Sequence, residues 1–257
     1  MKQFLYKHGL PFSAKLAEAL HDQKLRVKAK FSSMIIIDGL MGTGKTTLGV
    51  ECADFLSVCD TSFFDWDEYW KRWVFNPEKW KKQGLPNQRF IEFDSQLGMG
   101  GSEFLKKLRI CYDQQLVVVM YDEAGDFNKR GALTRFNALL NRTFETFRAF
   151  KIIVILLLPN FCVLDQDLFD KGVPRMLINC YGRSEEYGNF RVYSVSKMLY
   201  IRERMKKMVI RSAAYGYEEP NFQGHFLDLP EERSKRLDAF STKGKIKELR
   251  GAELKAE

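Results

Sequence analysis

Long apolar runs are missing from this chain. The longest, Ile152 to Leu158, is far shorter than the roughly 20 residues a membrane-spanning helix needs, so no bilayer span is expected. Met1 to Leu10 carries Lys2 and Lys7 with no apolar block behind them, which argues against a secretory leader. Histidine is scarce, and His8, His21 and His225 stand far apart. The five cysteines (Cys52, Cys59, Cys111, Cys162, Cys180) are odd in number and scattered. Only Cys52 and Cys59 are near each other, and neither has a histidine beside it. This spacing excludes the usual zinc frameworks and predicts reduced thiols in a cytoplasmic protein, in the host cytoplasm if the chain is viral. Internal repeats and low-complexity tracts are absent as well.

What is present is a globular balance. Of 257 residues, 45% are hydrophobic and 29% charged. That is enough for one substantial α/β domain with a small appendage and too little for two full domains. Lysine and arginine number 41 against 33 acids, a net charge of +8. Such an excess permits binding to DNA or another polyanion, and a solvated basic surface explains it equally well.

Three stretches follow from the patterning. Residues 1–31 form a basic N-terminal segment, 32–196 a core, and 197–257 a basic, charged, helical extension. Within the core, Met34–Ile37, Leu116–Tyr121 and Lys151–Leu158 are buried-strand runs. Arg89–Asp94 alternates like a strand, and weaker strands are expected near 176–181 and 190–195. Helices are expected from Gly44 to about Leu56, over Glu103–Tyr112 and over Gly131–Phe150. In the last of these, Leu133, Phe136, Leu140, Phe144 and Phe147 make one apolar stripe. The aromatic residues 60–86 are expected as short helices. Alternation of apolar strands with helices predicts an α/β fold, a central mostly parallel sheet with helices on both faces.

One motif carries chemistry. Gly39-Leu-Met-Gly-Thr-Gly-Lys45-Thr46 satisfies G-x-x-x-x-G-K-[ST], with an apolar strand before it and a helix-forming segment after it. Glycines let backbone N–H groups turn in around phosphate oxygens, and the helix N-terminus adds its positive end. The expected phosphate-contacting set is Gly39, Met41, Gly42, Thr43, Gly44, Lys45, Thr46 and Thr47. Lys45 would reach the β- and γ-phosphates of ATP, and the Thr46 hydroxyl would hold Mg²⁺. The second constellation is the apolar run that closes on Asp122-Glu123-Ala124. Asp122 is the carboxylate expected at the metal. Glu123 would polarise a water aimed at the γ-phosphate, which makes the site hydrolytic.

The loop at 39–46, the Asp122-Glu123-Ala124 strand end, the long helix and the strand closed by Pro159-Asn160 together resemble P-loop ATPases of the additional-strand, catalytic-glutamate division. Within it, residues 33–182 are most similar to the FtsK–HerA class of DNA-pumping motors, which includes viral packaging and conjugation ATPases. The resemblance implies a P-loop NTPase fold, Mg-ATP hydrolysis and a homo-oligomeric ring that translocates or packages DNA. It implies a polar γ-phosphate sensor at Asn160, where the class commonly has glutamine. It implies an arginine acting in trans, for which Arg148 is the first candidate and Arg142 the second. The alternative is a nucleotide-dependent assembly protein like the zonula occludens toxin-like ATPases of phage morphogenesis, which binds protein rather than DNA.

Other features have plainer explanations. Gly98-Met-Gly-Gly-Ser102 is expected as a flexible loop before a helix, and the aromatics Phe63–Trp73 as packing of an insertion. The basic amphipathic stretch Lys197–Arg211 is expected as a helix with one packed face, with a protein partner or DNA as its other use. Residues 231–257 are expected as a solvated tail. The charged residues Asp126, Lys129 and Arg130 are compatible with either a contact or a loop.

Overall fold

Met34, Ile35, Ile36 and Ile37 are β-branched or apolar at every position, and a strand of that kind is stable only with both faces covered. In the computed structural model they form β1 (Ser33–Gly39), which is buried along its whole length and lies inside a seven-stranded sheet. The structure describes residues 9–31, 33–82, 90–122, 138, 143, 149–184, 187–209 and 211–253.

The first segments in chain order are α1 (Ala14–Lys28), β1, α2 (Lys45–Val58) and a hairpin of β2 (Phe64–Asp67) and β3 (Arg72–Phe75). Next come α3 (Pro77–Lys82), the single turn α4 (Phe93–Gln96), β4 (Leu97–Met99), α5 (Gly101–Asp113) and β5 (Val118–Asp122). The chain continues with β6 (Ile153–Leu158), the short α6 (Gln166–Asp170), β7 (Pro174–Arg183) and β8 (Tyr187–Tyr193). It closes with α7 (Val195–Lys207), a 3₁₀ segment (Arg211–Tyr217), β9 (Phe222–Leu227) and α8 (Glu231–Glu253).

The strand order is β4-β5-β6-β1-β7-β8-β9. The first five run parallel, and β8 and β9 add on in antiparallel fashion. Side chains alternate across β1 with period 2. Ile35 and Ile37 join one core with Leu16 and Leu20 of α1 and Leu48 and Val50 of α2. Met34 and Ile36 join a second core with Phe104 and Leu108 of α5 and Met198 and Ile201 of α7. Helices therefore cover both faces, as expected. Burying each such aliphatic side chain is worth about 1.5–3 kcal/mol, so the sheet around β1 is the stable frame of the site.

The flanking stretches are built into this frame. Phe12 bridges to Phe226 of β9, and the Leu227 amide donates to Pro11 O at 2.8 Å. Lys24 Nζ donates to Leu56 O and Cys59 O, both at 2.6 Å. A cation thereby sits on the carbonyl end of α2, where the helix dipole favours it. The extension after residue 196 is not wholly helical, because it supplies β9 to the sheet.

Several sequence expectations are corrected. Residues 60–86 contain a β-hairpin rather than short helices alone: Phe64 turns inward, and Asp67 Oδ1 accepts from the Tyr69 and Trp70 amides at 3.0 Å to shape its turn. Residues 93–96 turn as helix, and the strand follows at Leu97–Met99. Gln96 decides this, accepting from the Glu92 amide at 3.1 Å and donating to Val118 O at 3.0 Å. Gly98 belongs to that strand rather than to a loop. The tail expected in solvent begins as α8, whose Arg233 is buried against Asp54 at 2.7 Å and over the Phe93 ring at 4.3 Å. The stretch from Lys197, by contrast, is the helix with one packed face that was expected: Met198, Ile201, Arg202 and Met205 of α7 are buried.

Candidate nucleotide-phosphate site

In open parallel sheets, ligands bind beyond the carboxyl ends of the strands. Here β1 ends at Gly39, β5 at Asp122 and β6 at Leu158, side by side with β6 in the middle. The chain leaves β1 through Gly39 at φ +146°, and a Cβ there would stand 2.3 Å from Cys180 O of β7. Only glycine fits. The loop then turns on Thr43, whose Oγ1 donates to Leu40 O at 2.8 Å, and enters α2 through Gly44 at φ +85°. No side chain caps α2. The first-turn amides are the groups a helix leaves without intrahelical partners, so they are available to phosphate oxygens.

Lys45 Nζ folds back over the loop, donating to Gly39 O at 2.7 Å and Leu40 O at 2.9 Å. The ammonium thus stands in the cradle that the loop forms. Thr46 Oγ1 donates to Asp122 Oδ2 at 3.0 Å. These two oxygens, hard donors brought together from α2 and β5, suit a small divalent cation such as Mg²⁺. The Met41 side chain is almost fully exposed, so its part in the loop is through the backbone. Thr47 lies in the first turn of α2, half-buried.

Asn160 follows β6, between the ends of β1 and β5, and its Oδ1 accepts from the Cys162 amide at 2.8 Å to cap a 3₁₀ turn. Glu123, Arg142 and Arg148 lie outside the described residues, as do Asp126, Lys129 and Arg130.

Two residues at this edge were not singled out from the sequence. Asp38, the last residue before Gly39, is buried and accepts from the Tyr215 hydroxyl, from Asn179 Nδ2 at 3.0 Å and from the Phe161 amide at 3.3 Å. Burial pushes its carboxyl up to about 6, against the pull of those three donors and of Lys45. Asp38 ties the base of the loop to the turn that bears Asn160. An acid closing an otherwise apolar strand was its only sequence signal. The second residue is Arg183, at the far end of β7, which pairs with Asp228. Its Nη1 would lie 3.4 Å from a Cβ on Gly44. Nothing in the sequence near Arg183 announces this.

The strand order and the loop between β1 and α2 are those of the P-loop NTPase fold. Comparison with protein-family models and with curated proteins found no match. Among solved structures, the chain is similar to a KaiC-like protein of the hyperthermophilic archaeon Pyrococcus horikoshii OT3. The two share 13% identity over 63% of this chain and 78% of that one, with a TM-score of 0.32. A likeness this slight bears on neither family nor function. The fold assignment stands on the sheet and the loop themselves.

Proposed function

We propose that this chain is a Mg-dependent ATPase, and that hydrolysis drives a ring of its subunits along DNA. The observation that carries the Mg-nucleotide reading is the meeting of Lys45, Thr46 and Asp122 at one end of the sheet. Lys45 binds the β- and γ-phosphates, and the first-turn amides of α2 bind the phosphate oxygens around it. Thr46 and Asp122 would hold Mg²⁺, which when bound would supply charge neutralisation to the transferring phosphoryl group. Glu123 follows Asp122 directly in the chain and takes the proton of the attacking water. Asn160 senses the γ-phosphate from the end of β6. Arg148 of a neighbouring subunit completes the site.

The position of β6 between β1 and β5 supports placement in the additional-strand division. The net charge of +8 supports DNA as the polymer. A protein-binding scaffold of the zonula occludens toxin-like kind is the second reading. The exposed Tyr69 and Trp70 at the tip of the β2–β3 hairpin favour it. One titration separates the two. ATP turnover that rises with double-stranded DNA, and loses that stimulation as salt increases, supports the motor. Turnover indifferent to DNA at low salt leaves the scaffold reading.

A further inference from the structure

A cavity of about 360 Å³ opens beside α2. Its walls are mostly apolar and aromatic, among them Phe55, Trp80, Phe90 and Leu227. Two side chains of the lining, Glu51 and Arg233, bury polar atoms that have no hydrogen-bond partner. Glu51 lines the cavity, is only 4% exposed, and its Oε2 makes no hydrogen bond. A buried polar atom in that condition costs stability unless something else completes it.

The cavity lies along α2 from the phosphate loop. Glu51 stands about 9 Å along α2 from Lys45, at 1.5 Å per residue. Gly44, Glu51 and Phe55 are spaced to lie on one face of that helix. Asp228, at the cavity wall, pairs with Arg183, whose guanidinium reaches the loop at Gly44. A row of contacts therefore leads from the loop to the cavity wall.

We infer that this cavity is the nucleobase subsite of the phosphate loop, and that the Glu51 carboxyl reads the hydrogen-bonding edge of adenine. The inference rests on the nucleotide reading above. The volume lies in the range of small-ligand pockets, and flat aromatic walls suit the faces of a purine. Burial pushes Glu51 well above the usual carboxylate range, and the charges of Asp54 and Asp228 push the same way. Burial thus favours the protonated carboxyl, which offers one donor and one acceptor. Its O–H donates to ring N1, and its C=O accepts from the 6-amino group. An ionised carboxylate would set lone pairs against the N1 lone pair.

The test is calorimetric titration of the full chain with Mg-ATP, Mg-GTP and inorganic pyrophosphate. Glu51→Leu should weaken ATP by about tenfold or more, the cost of leaving a base edge unmet, and change pyrophosphate by less than about twofold. Glu51→Gln keeps a donor and an acceptor and should hold ATP within about threefold of the parent. Leu229→Trp, which fills the cavity from a half-buried position, should weaken ATP and spare pyrophosphate. An ATP affinity that tracks pyrophosphate in both Glu51→Leu and Leu229→Trp overturns the subsite. Equal binding of GTP and ATP by the parent overturns the adenine assignment. Failure of the parent to bind pyrophosphate overturns the phosphate reading itself, and this inference with it.

Discussion

Thr46 Oγ1 and Asp122 Oδ2 lie 3.0 Å apart, although α2 follows β1 and Asp122 ends β5, with β6 between the two strands. The contact is possible because three parallel strands end at one level, with Asp38 opposite Leu158 and Asp122 opposite Leu157. Two oxygens suited to a hard cation are thus pre-arranged by the sheet, and little reorganisation is needed on binding.

Lys45→Ala should abolish ATP binding or weaken it severely. The substitution removes the side-chain charge aimed at the β- and γ-phosphates. Titration with a fluorescent ATP analogue checks this, with a thermal melt to establish folding. Undiminished affinity in a folded variant refutes the phosphate site.

Glu123→Gln should bind ATP and lose turnover by at least about a hundredfold, the low end of general-base effects. Arg148→Ala should also bind and lose turnover, because an arginine acting in trans stabilises transition-state charge. Mixing the two inactive variants should restore activity, since mixed interfaces pair an intact half-site with an intact half-site. Mixtures no more active than their components, with Arg142→Ala failing as well, exclude the shared site.

Asp38 makes stability depend on pH in a defined direction. Its folded value of about 6 lies above the ordinary 3.8, so between about pH 4 and 6 only the folded chain keeps the proton. Stability contributed by that proton falls as pH rises through the window, by up to about 3 kcal/mol. Asp38→Asn does not titrate there. Urea unfolding at pH 4 and pH 6.5 should show the stability difference shifting toward the variant at the higher pH. His21 titrates in the opposite sense, held neutral by burial down to about 4, but it is present in both proteins and cancels. A pH-independent difference removes Asp38 from this role.

Arg233→Ala should destabilise the fold by about 3–5 kcal/mol, the cost of breaking a buried pair. The guanidinium bonds Asp54 Oδ1 at 2.7 Å and Ile91 O at 2.8 Å. Its loss leaves the Asp54 carboxyl, which burial already pushes up to about 6, without its cation. Chemical denaturation measures the effect. A change below about 0.5 kcal/mol, the scale of surface substitutions, means that α8 does not stabilise the core.

The phosphate loop and the acid-ended strand were legible because each is local. Glycines at fixed offsets, a lysine and a threonine must be contiguous to wrap one group of phosphates. The apolar run Val118–Tyr121 must be unbroken to be buried on both faces. At Phe93–Gln96 the local alternation is outweighed by the side-chain bonds of Gln96, and residues 64–75, expected as helix from their aromatic and charged composition, form a hairpin whose turn Asp67 shapes. Beyond the amphipathic stretch from Lys197, the part of the extension that joins the core was not legible because its buried residues, such as Tyr215, Phe226 and Arg233, are spread thinly among polar ones.

From the sequence by itself come the α/β class, the phosphate loop at residues 39–46 and Asp122 as the partner acid, since each depends on neighbours along the chain. Only the tertiary structure brought Asp38 under Tyr215, Arg183 beside Gly44, and Glu51 into a cavity with Asp228. Those pairings join residues far apart in the chain. They follow from the order in which parallel strands line up and from which face of α2 meets β9, and neither leaves a periodic mark on the sequence.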